Sequence, residues 1–233
     1  DFLNILSKEI NLEVDEKIII AVPKGRVLPQ VMDFLQSSGI EPEEEFAMSE
    51  IRKLRFKTNN PAIDLIRVRD FDVATFVSFG AAQIGFAGRD VLMEFDYSEI
   101  YSPLDLGIGK CSLIVAEPEE LMANDDPTSW SHVRVATKYP RITRKYFAER
   151  GVQAECIKLN GAMELAPSLG LCRRIVDLVE TGETLKANKL VEVEKIADIS
   201  TCLVANRAAL KTKPESIGRL ISIFTEIAHG KTT

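Results

Sequence analysis

Histidine is scarce in this chain, whose 233 residues include only His132 and His229. Histidine is the side chain best suited to carry protons at neutral pH, and it is also a common metal ligand. One of the two lies near a predicted loop and the other in the C-terminal tail, which argues against a histidine-based catalytic triad or metal site. The chemistry must therefore depend on charge and on the positioning of substrates.

Paired cysteines are also missing. Cys111, Cys156, Cys172 and Cys202 are widely spaced and form no Cys-x-x-Cys motif. The sequence therefore indicates neither a zinc knuckle nor a disulfide framework. We predict that the four cysteines are reduced thiols in the core.

The chain also lacks the marks of membrane, secreted and nucleic-acid-binding proteins. No apolar run reaches membrane-spanning length, and residues 1–17 alternate charged and apolar residues without a signal-peptide core. We therefore predict a cytoplasmic protein that does not associate with membranes. A net charge of −6 and a pI near 5.2 argue against general nucleic-acid binding, but they allow a local basic pocket for a polyanion.

Strand-like and helix-like patterns alternate along the chain, which predicts an α/β protein with mostly parallel sheets. The predicted strands are 17–22, 62–68, 82–87, 106–116, 134–137, 154–159, 175–179 and 194–206. The predicted helices are 27–37, 73–79, 89–94, 142–150, a helix that begins at 185, and 214–229, which should pack on the first lobe.

Two of the predicted strands, 106–116 and 194–206, are unusually long, as expected where a chain crosses between two domains. We therefore predict two α/β lobes joined by two crossovers, which resembles the architecture of type II periplasmic binding proteins. Lobe I is predicted to comprise 1–107 and 198–233, with a cationic cleft side, and lobe II to comprise 108–197. Lobes of this kind bind ligands in the cleft between them.

A candidate phosphate loop follows the predicted strand 175–179. Glu180-Thr181-Gly182-Glu183-Thr184 turns the chain and Leu185 begins a helix, so that backbone N–H groups and two hydroxyls converge at a helix N-terminus. This arrangement suits a 5′-phosphate, and Asp177 in the strand could accept hydrogen bonds from a ribose diol. Thr-Gly-x-Thr after an apolar run is also an ordinary βα turn with a threonine cap, so this segment alone leaves both interpretations open.

Cationic residues follow other predicted strands. Lys24 and Arg26 come directly after the first strand, where open α/β sheets bind ligands, although a solvated turn at Gly25 is the alternative. Arg52 belongs to the cation-rich segment 49–57, which could equally be a solvent-facing edge strand. Charged residues also end the next two strands, where an ion pair or a helix cap is the alternative; they are Arg69, Asp70 and Asp90.

Taken together, these segments resemble the ATP phosphoribosyltransferase family, which begins histidine biosynthesis, from about residue 17 to residue 210. The similar motifs are Pro-Lys-Gly-Arg at 23–26, Arg-Lys-Leu at 52–54, Arg-Asp at 69–70 with the 80–90 stretch, Asp-Leu-Gly-Ile-Gly-Lys-Cys at 105–111, Ala-Thr-Lys-Tyr-Pro at 136–140, and Glu-Leu-Ala-Pro at 164–167 through Thr-Gly-Glu-Thr-Leu at 181–185. The sequence departs from the family at Phe71-Asp72, where an apolar residue and proline are usual, and at Lys189, which replaces a common glycine.

The resemblance implies transfer of the 5-phosphoribosyl group of phosphoribosyl pyrophosphate to N1 of ATP, with release of pyrophosphate. Arg26 and Arg52, assisted by Lys24, are our candidates for contacting the leaving pyrophosphate. For the donor we assign Asp177 and Glu164 to the ribose and the loop to the 5′-phosphate; the loop residues are Glu180, Thr181, Gly182, Glu183, Thr184 and Leu185. Arg69, Asp70 and Asp90 are assigned to the nucleotide side. Mg²⁺ would share the anionic charge, but we assign it no direct protein ligand.

The chain ends a few residues past its last predicted helix, whereas long members of the family continue into a histidine-binding regulatory domain. It therefore resembles the short form, which implies a homodimer that works with a histidyl-tRNA-synthetase-like regulatory subunit in a hetero-octamer. Two other functions stay open. They are a small-ligand binding module of the same two-lobed fold and a phosphoribosyltransferase that acts on a free nucleobase.

Overall fold

A computed structural model describes residues 17–48, 50–121 and 126–230. Residues 1–16, which carry most of the segment without a signal-peptide core, lie outside the described residues. So do Ser49 of the cation-rich segment and the last three residues of the predicted first lobe. In the part of the chain that the structure describes, no helix is long and apolar enough to cross a membrane.

The described residues form strands and helices that alternate over much of the chain. The strands are β1 (Ile18–Pro23), β2 (Arg55–Lys57), β3 (Ile63–Val68), β4 (Ile84–Gly88), β5 (Ile100–Asp105), β6 (Cys111–Pro118), β7 (His132–Thr137), β8 (Gln153–Lys158), β9 (Arg174–Val179), β10 (Leu190–Ile199) and β11 (Thr201–Asn206). The helices are α1 (Leu28–Ser37), α2 (Asp70–Ser78), α3 (Arg89–Phe95), α4 (Pro140–Ala148), α5 (Leu165–Ser168), α6 (Glu183–Ala187), α7 (Arg207–Thr212) and α8 (Pro214–Gly230).

The chain packs as two compact units. The first unit contains the residues up to Leu92, Asp96–Gly109 and the residues from Ser200 onward. The second unit contains Met93–Phe95 and Lys110–Ile199. Each unit is built on one sheet, so the mixed α/β class expected from the sequence is confirmed.

The first unit is a six-stranded sheet in the order β2-β3-β1-β4-β11-β5. Alternate residues of β1 face opposite sides of the sheet, because successive side chains of a strand point in opposite directions. Ile18, Ile20 and Val22 pack with α1 and α8, where Phe34 and Phe224 have ring centroids 5.6 Å apart. Ala21 packs on the other side with α2. The sequence prediction that the last helix packs on this unit is therefore confirmed.

The second unit is a five-stranded sheet in the order β10-β6-β9-β7-β8. Its central strands are apolar runs, and buried side chains on one face of these strands form a core with residues from α5 and α6. Leu185 of α6 belongs to this core, so the short helix that follows β9 is anchored by burial of an apolar side chain. The apolar sequence of β9 thus fixes where the turn after it begins.

A buried ion pair joins two strands of the second unit. Nε of Arg174 in β9 lies 3.3 Å from Oε2 of Glu117 in β6, and both side chains are almost fully buried. The guanidinium also stacks over the Trp130 ring, with its carbon 3.8 Å from the ring centroid. Burial raises the pKa of the Glu117 carboxyl, although the charge of Arg174 opposes that rise.

The prediction of mostly parallel sheets is wrong. β1 pairs in parallel with β3 and β4, and β7 pairs in parallel with β8 and β9, but the other strand pairs in both sheets are antiparallel. Alternation of strands and helices over most of the chain hid the antiparallel strands. Parallel neighbours need a crossover connection, but β6 follows β5 and β11 follows β10 with no helix between them.

The two long predicted strands are also wrong. Within 106–116 only β6 is a strand, because Gly107 and Gly109 adopt left-handed backbone angles, with φ of +66° and +64°, that no strand accommodates. Within 194–206 the chain forms the end of β10 and all of β11, which belong to different sheets and are separated at Ser200. The sequence also missed β5, a half-exposed strand at the sheet edge, where its proline is tolerated.

The cysteines agree in part with the prediction of core thiols. All four are free, but only Cys172 and Cys202 are buried, whereas Cys111 and Cys156 are partly exposed. Burial raises the pKa of the Cys172 and Cys202 thiols, which disfavours the reactive thiolate. These two cysteines therefore act as small apolar residues of the core.

Candidate active site

Three parallel strands of the first unit end at one edge of its sheet. β1 lies between β3 and β4, Pro23 pairs with Val68, and the backbone N–H of Lys24 donates to the Val68 carbonyl at 2.8 Å. Parallel strands bring the residues that follow their carboxyl ends to a common edge, which is where open α/β sheets bind ligands. This cationic edge is formed by Lys24, Arg26, Arg69, Asp70, Arg89 and Asp90.

Arg52 reaches the same edge from the neighbouring antiparallel strand. Arg55 of β2 pairs with Ile66, and the Arg67 N–H donates to the Leu54 carbonyl at 2.9 Å, so the chain before β2 runs beside the end of β3. The other interpretation of this segment is partly right, because Arg55–Lys57 is an exposed edge strand. Arg55 pairs with Asp64, whereas exposed Arg52 makes no side-chain hydrogen bond or ion pair to another described residue.

Arg26 is held beside the loop that follows β5. Its Nη2 donates to the Gly109 carbonyl at 3.4 Å, and the Gly109 N–H donates to Oε1 of Gln30 at 2.8 Å. A side chain at Gly109 would place a Cβ 2.9 Å from Thr201 Oγ1, so only glycine fits. The sequence did not predict the roles of Gln30 and Thr201, and it placed Gly109 in a strand. The spacing of Gly107 and Gly109 was the available signal for a break in that strand, because both glycines adopt left-handed angles.

The nucleotide-side candidates lie at helix starts. Arg69 is the N-cap residue of α2 and Asp70 begins that helix, three residues earlier than predicted. Asp90 lies in the first turn of α3, whose N-cap residue is Gly88, so Asp90 is not itself the cap. Its side chain, only 4% exposed, folds back over Gly88, where an added Cβ would lie 2.2 Å from Oδ1. Asp70 is exposed and is therefore the more accessible carboxylate.

The same edge continues through β11, which the sequence did not place there. Thr201 pairs with Gly88, and the Arg89 N–H donates to the Ser200 carbonyl at 2.9 Å. The Ser200 hydroxyl donates to Oδ2 of Asp105 at 2.6 Å. Ser200 and Asp105 thus add a hydroxyl and a carboxylate to the edge, and only the folded register of β11 against β4 brings them there.

In the second unit, the predicted phosphate loop is a tight turn between β9 and α6. Gly182 is the N-cap residue of α6 and has φ +77°, ψ +3°, a left-handed conformation that favours glycine. α6 begins at Glu183, two residues before the predicted start, and the side chain of Leu185 within this helix is buried. Gly182 rather than a threonine is thus the N-cap residue, and Thr181 Oγ1 accepts the Glu183 N–H at 3.4 Å, a contact that an ordinary βα turn also makes, so this geometry leaves both interpretations of the loop open.

The two ribose candidates, Asp177 and Glu164, lie in the same unit as this loop. Asp177 is half-buried in β9, opposite Ile114 of β6, and its Oδ1 accepts the Leu178 N–H at 2.8 Å. Glu164 is half-buried at the N-cap position of α5 and makes no capping bond there. Ala162, two residues before Glu164, has φ +55°, so the chain enters α5 through a strained backbone conformation.

Lys189 ends the α6 segment in a conformation that suits glycine, since its φ is +55°. A left-handed conformation destabilises a residue with a Cβ by roughly 1–2 kcal/mol. Replacement by glycine removes this strain, but about half of the benefit is offset because glycine has more conformational freedom in the unfolded state. We expect Lys189→Gly to raise the free energy of unfolding by about 0.5–1 kcal/mol, measured by urea titration.

The matched control for this prediction is Lys186→Gly, which removes the same side-chain type from within α6. Lys186 belongs to the helix, so glycine should lower the free energy of unfolding there by about 0.5–1 kcal/mol. Equal effects of the two substitutions would show that the backbone conformation of Lys189 carries no strain.

The charged groups of the described residues do not form a dedicated metal cage. Among the residues that the structure describes, no group of three or more histidine, cysteine, aspartate or glutamate side chains is placed to hold a metal ion. Mg²⁺ commonly keeps several waters and binds through one or two carboxylates together with substrate phosphates.

Comparison with solved structures supports the fold. The sulfonate-binding protein SsuA of Xanthomonas axonopodis superposes with a TM-score of 0.55 over 91% of this chain and 73% of its own, at 10% identity. This similarity concerns the fold alone and agrees with the predicted resemblance to periplasmic binding proteins. A chain of the ATP phosphoribosyl transferase (HisG:HisZ) complex from Thermotoga maritima superposes with a TM-score of 0.77 at 32% identity, covering 91% of this chain and 99% of its own.

Sequence comparison separates enzyme from solute-binding protein. The profile described as HisG, ATP phosphoribosyltransferase, matches residues 69–226. Proteins named ATP phosphoribosyltransferase from Paramagnetospirillum magneticum and Rhodospirillum rubrum are 62% and 61% identical, over 92% and 91% of this chain and 98% and 93% of their own lengths.

These matches define the chain as an enzyme of the pentosyl-transferase class. Within that class it belongs to the ATP phosphoribosyltransferase family. It transfers the 5-phosphoribosyl group of phosphoribosyl pyrophosphate to N1 of ATP and releases pyrophosphate, the first step of histidine biosynthesis.

Proposed function

We propose that the cationic edge of the first unit binds the leaving pyrophosphate and the nucleotide, and that the β9–α6 turn of the second unit binds the 5′-phosphate of the donor. The observation that carries this proposal is the convergence of three parallel strand ends on one edge, each followed by charged residues. Displacement at the anomeric carbon passes through an oxocarbenium-like state, so the protein needs no nucleophile. Catalysis then rests on alignment of two anions and on stabilisation of the departing charge.

Arg26 and Arg52 are proposed to contact the pyrophosphate as its charge develops. A guanidinium presents paired N–H donors that match two phosphate oxygens. Both side chains are exposed, and Arg26 is already oriented by the Gly109 carbonyl. Lys24 lies one residue after β1 and would add a point charge. Arg69, Asp70 and Asp90 are proposed to serve the ATP side of the same edge.

The second unit is proposed to hold the donor sugar. Thr181 and Thr184 are exposed, and the first-turn N–H groups of a helix have no acceptor within the helix, so the turn offers donors to a phosphate. Asp177 and Glu164 would accept hydrogen bonds from the ribose hydroxyls. The remaining residues of the turn, Glu180, Gly182, Glu183 and Leu185, would set its shape.

Mg²⁺ is proposed as the cofactor, without a direct protein ligand. Bound through phosphate oxygens, it would neutralise part of the charge that develops on pyrophosphate. The arginines would supply the rest from fixed positions. A cytoplasmic location stays a prediction.

A regulatory partner is proposed from the relatives. The Thermotoga protein was solved as a complex of HisG and HisZ, and 99% of its matched chain is covered here. That similarity supports a HisZ-like subunit for this chain and the short form of the family. A homodimer within a hetero-octamer, and the kinship of the partner to histidyl-tRNA synthetase, are predictions of the same kind.

The reaction is tested by incubating the protein with phosphoribosyl pyrophosphate, Mg²⁺ and either ATP or adenine, with and without the regulatory subunit. We expect ultraviolet absorbance to show N1-substituted adenine with ATP only, because a cationic edge outside the donor loop suits an acceptor that carries phosphates. Equal use of adenine would identify a nucleobase transferase. Absence of product with the partner present, together with measurable binding of a small ligand, would identify a binding module.

A further inference from the structure

Arg67 is a buried cation on β3 whose hydrogen bonds all go to the main chain. Its side chain is only 6% exposed. Nη1 donates to the carbonyls of Phe46 and Met48 at 2.5 and 2.8 Å, and Nη2 donates to the Ile51 carbonyl at 3.2 Å. Among the described residues it forms no ion pair with a carboxylate. One guanidinium thus binds three carbonyls of the segment that leads directly to Arg52.

The surroundings of Arg67 show why the contact is specific to arginine. Its guanidinium carbon lies 5.9 Å from the Phe46 ring centroid and 5.3 Å from the Phe56 ring centroid, and these two rings meet edge to face at 5.0 Å. A buried charge is costly unless its donors are satisfied. A lysine has one ammonium group and cannot span three carbonyls with the fixed fork of a guanidinium.

The segment that Arg67 binds has few other backbone hydrogen bonds before Arg52, and the residue after Arg52, Lys53, ion-pairs on the surface with Glu43 and Glu45. The segment follows a short 3₁₀ turn, Glu44–Ala47, and it precedes β2, which has only three residues. Met48 and Glu50 are exposed. The Ile51 carbonyl belongs to the peptide that carries the Arg52 N–H, so holding it to β3 fixes the backbone of Arg52 beside the end of that strand.

We infer that Arg67 is a positioning residue for Arg52: it holds the segment that precedes Arg52 against β3, so that the Arg52 guanidinium is directed to the cationic edge. This inference rests on the proposed role of Arg52. Arg67 touches no substrate, but its loss should still lower the catalytic rate. Without it the Arg52 charge would be displaced, and even a small displacement weakens the effect of a charge on the transition state.

The test is Arg67→Lys, alone and combined with Arg52→Ala. We expect the single-turnover rate of Arg67→Lys to fall about tenfold, and the same substitution to change the rate of the Arg52→Ala protein by less than about twofold. Such non-additivity arises when one residue acts through another. Arg55→Lys is the matched control, because Arg55 lies on β2 and pairs with Asp64 without touching the three carbonyls. Its rate should stay within about twofold of wild type.

Limited trypsin digestion supplies a readout that does not depend on activity. Release of the segment should speed cleavage after Arg52 and Lys53 in Arg67→Lys, but not in Arg55→Lys, at a temperature at which all of the proteins are folded. Equal cleavage rates in the wild type and Arg67→Lys would overturn the inference. If Arg67→Lys proves too unstable, Arg67→Gln keeps two donors in a neutral side chain and is judged by the same two measurements.

The outcomes separate this inference from the proposed function. A wild-type rate for Arg52→Ala alone overturns the role of Arg52 and the inference together. A slow Arg52→Ala protein in which Arg67→Lys still lowers the rate tenfold overturns only the inference, because Arg67 would then act independently of Arg52.

Discussion

Arg26→Ala and Arg52→Ala should each lower the single-turnover rate about a hundredfold, which corresponds to roughly 3 kcal/mol of transition-state stabilisation. Each arginine is proposed to meet pyrophosphate chiefly as the bond to the sugar breaks, so its loss should appear in the chemical step rather than in substrate binding. Both side chains are exposed. Loss of such a side chain usually changes the free energy of unfolding by only about 0.5 kcal/mol.

The melting temperature and the single-turnover rate should therefore decouple in these two variants. Arg219→Ala is the control, because it removes an exposed arginine from α8 of the same unit, and both its rate and its melting temperature should stay near wild type. A rate within about twofold of wild type for Arg26→Ala or Arg52→Ala, a difference well under 1 kcal/mol, would remove that arginine from the site. So would a large drop in melting temperature, which would identify a structural residue.

Arg174→Met should lower the free energy of unfolding of the second unit by about 3–5 kcal/mol, because it leaves Glu117 buried without its cation. Methionine keeps much of the side-chain volume, so the loss reports charge rather than a cavity. Urea unfolding can be followed by the fluorescence of Trp130, the single tryptophan of the chain, with circular dichroism as a second probe because Arg174 stacks on that ring. The exposed neighbour supplies the control, and Arg173→Met should change the free energy by less than about 0.5 kcal/mol.

The loss of unfolding free energy in Arg174→Met should also depend on pH in a defined direction. Burial raises the pKa of folded Glu117 above its ordinary value, so the folded state binds the proton more tightly than the unfolded state. The free energy of unfolding therefore falls as pH rises from the ordinary glutamate pKa through the folded one. Arg174→Met removes the larger of the two arginine charges that oppose this rise in pKa, so its destabilisation should be smallest in acid and largest at neutral pH.

A double substitution completes the test of the buried pair. Glu117→Leu combined with Arg174→Met replaces both charges with apolar groups and should recover most of the lost free energy, as is often seen for buried ion pairs. A loss under about 1 kcal/mol for Arg174→Met alone would contradict the prediction, because it would mean that water reaches the pair.

The sequence predicted most elements of the fold, and the errors have a common cause. Apolar runs such as 62–68 and 175–179 became strands with shifts of a residue at their ends, because such runs are bounded by polar turns. The run 194–206 carries no strong break signal, and in 106–116 the signal is the spacing of Gly107 and Gly109; each run supplies residues to both units. Hydrophobic pattern shows that a residue is buried, but it does not show in which sheet.

The candidate site was predicted where motifs follow strands, and it was missed where tertiary register brings residues together. Lys24 and Arg69 were placed at strand ends from local sequence, and the parallel pairing of β1 with β3 brings those two strand ends to one edge. Ser200 and Asp105 reach that edge only through antiparallel pairing of β11 with β4 and β5. Asp105 begins one of the family-like motifs, but neither residue follows a predicted strand, so local sequence does not place them at this edge.

The position of β11 also determines when each unit can fold during synthesis. β4 and β5 end at Gly88 and Asp105, but the strand that lies between them begins only at Thr201. The ribosome therefore releases all strands of the second unit before it releases the one that joins β4 to β5. Until then two strand edges of the first unit stay unpaired, a state prone to association with other chains. The N-terminal part of this chain thus completes its sheet last, after translation has passed Asn206.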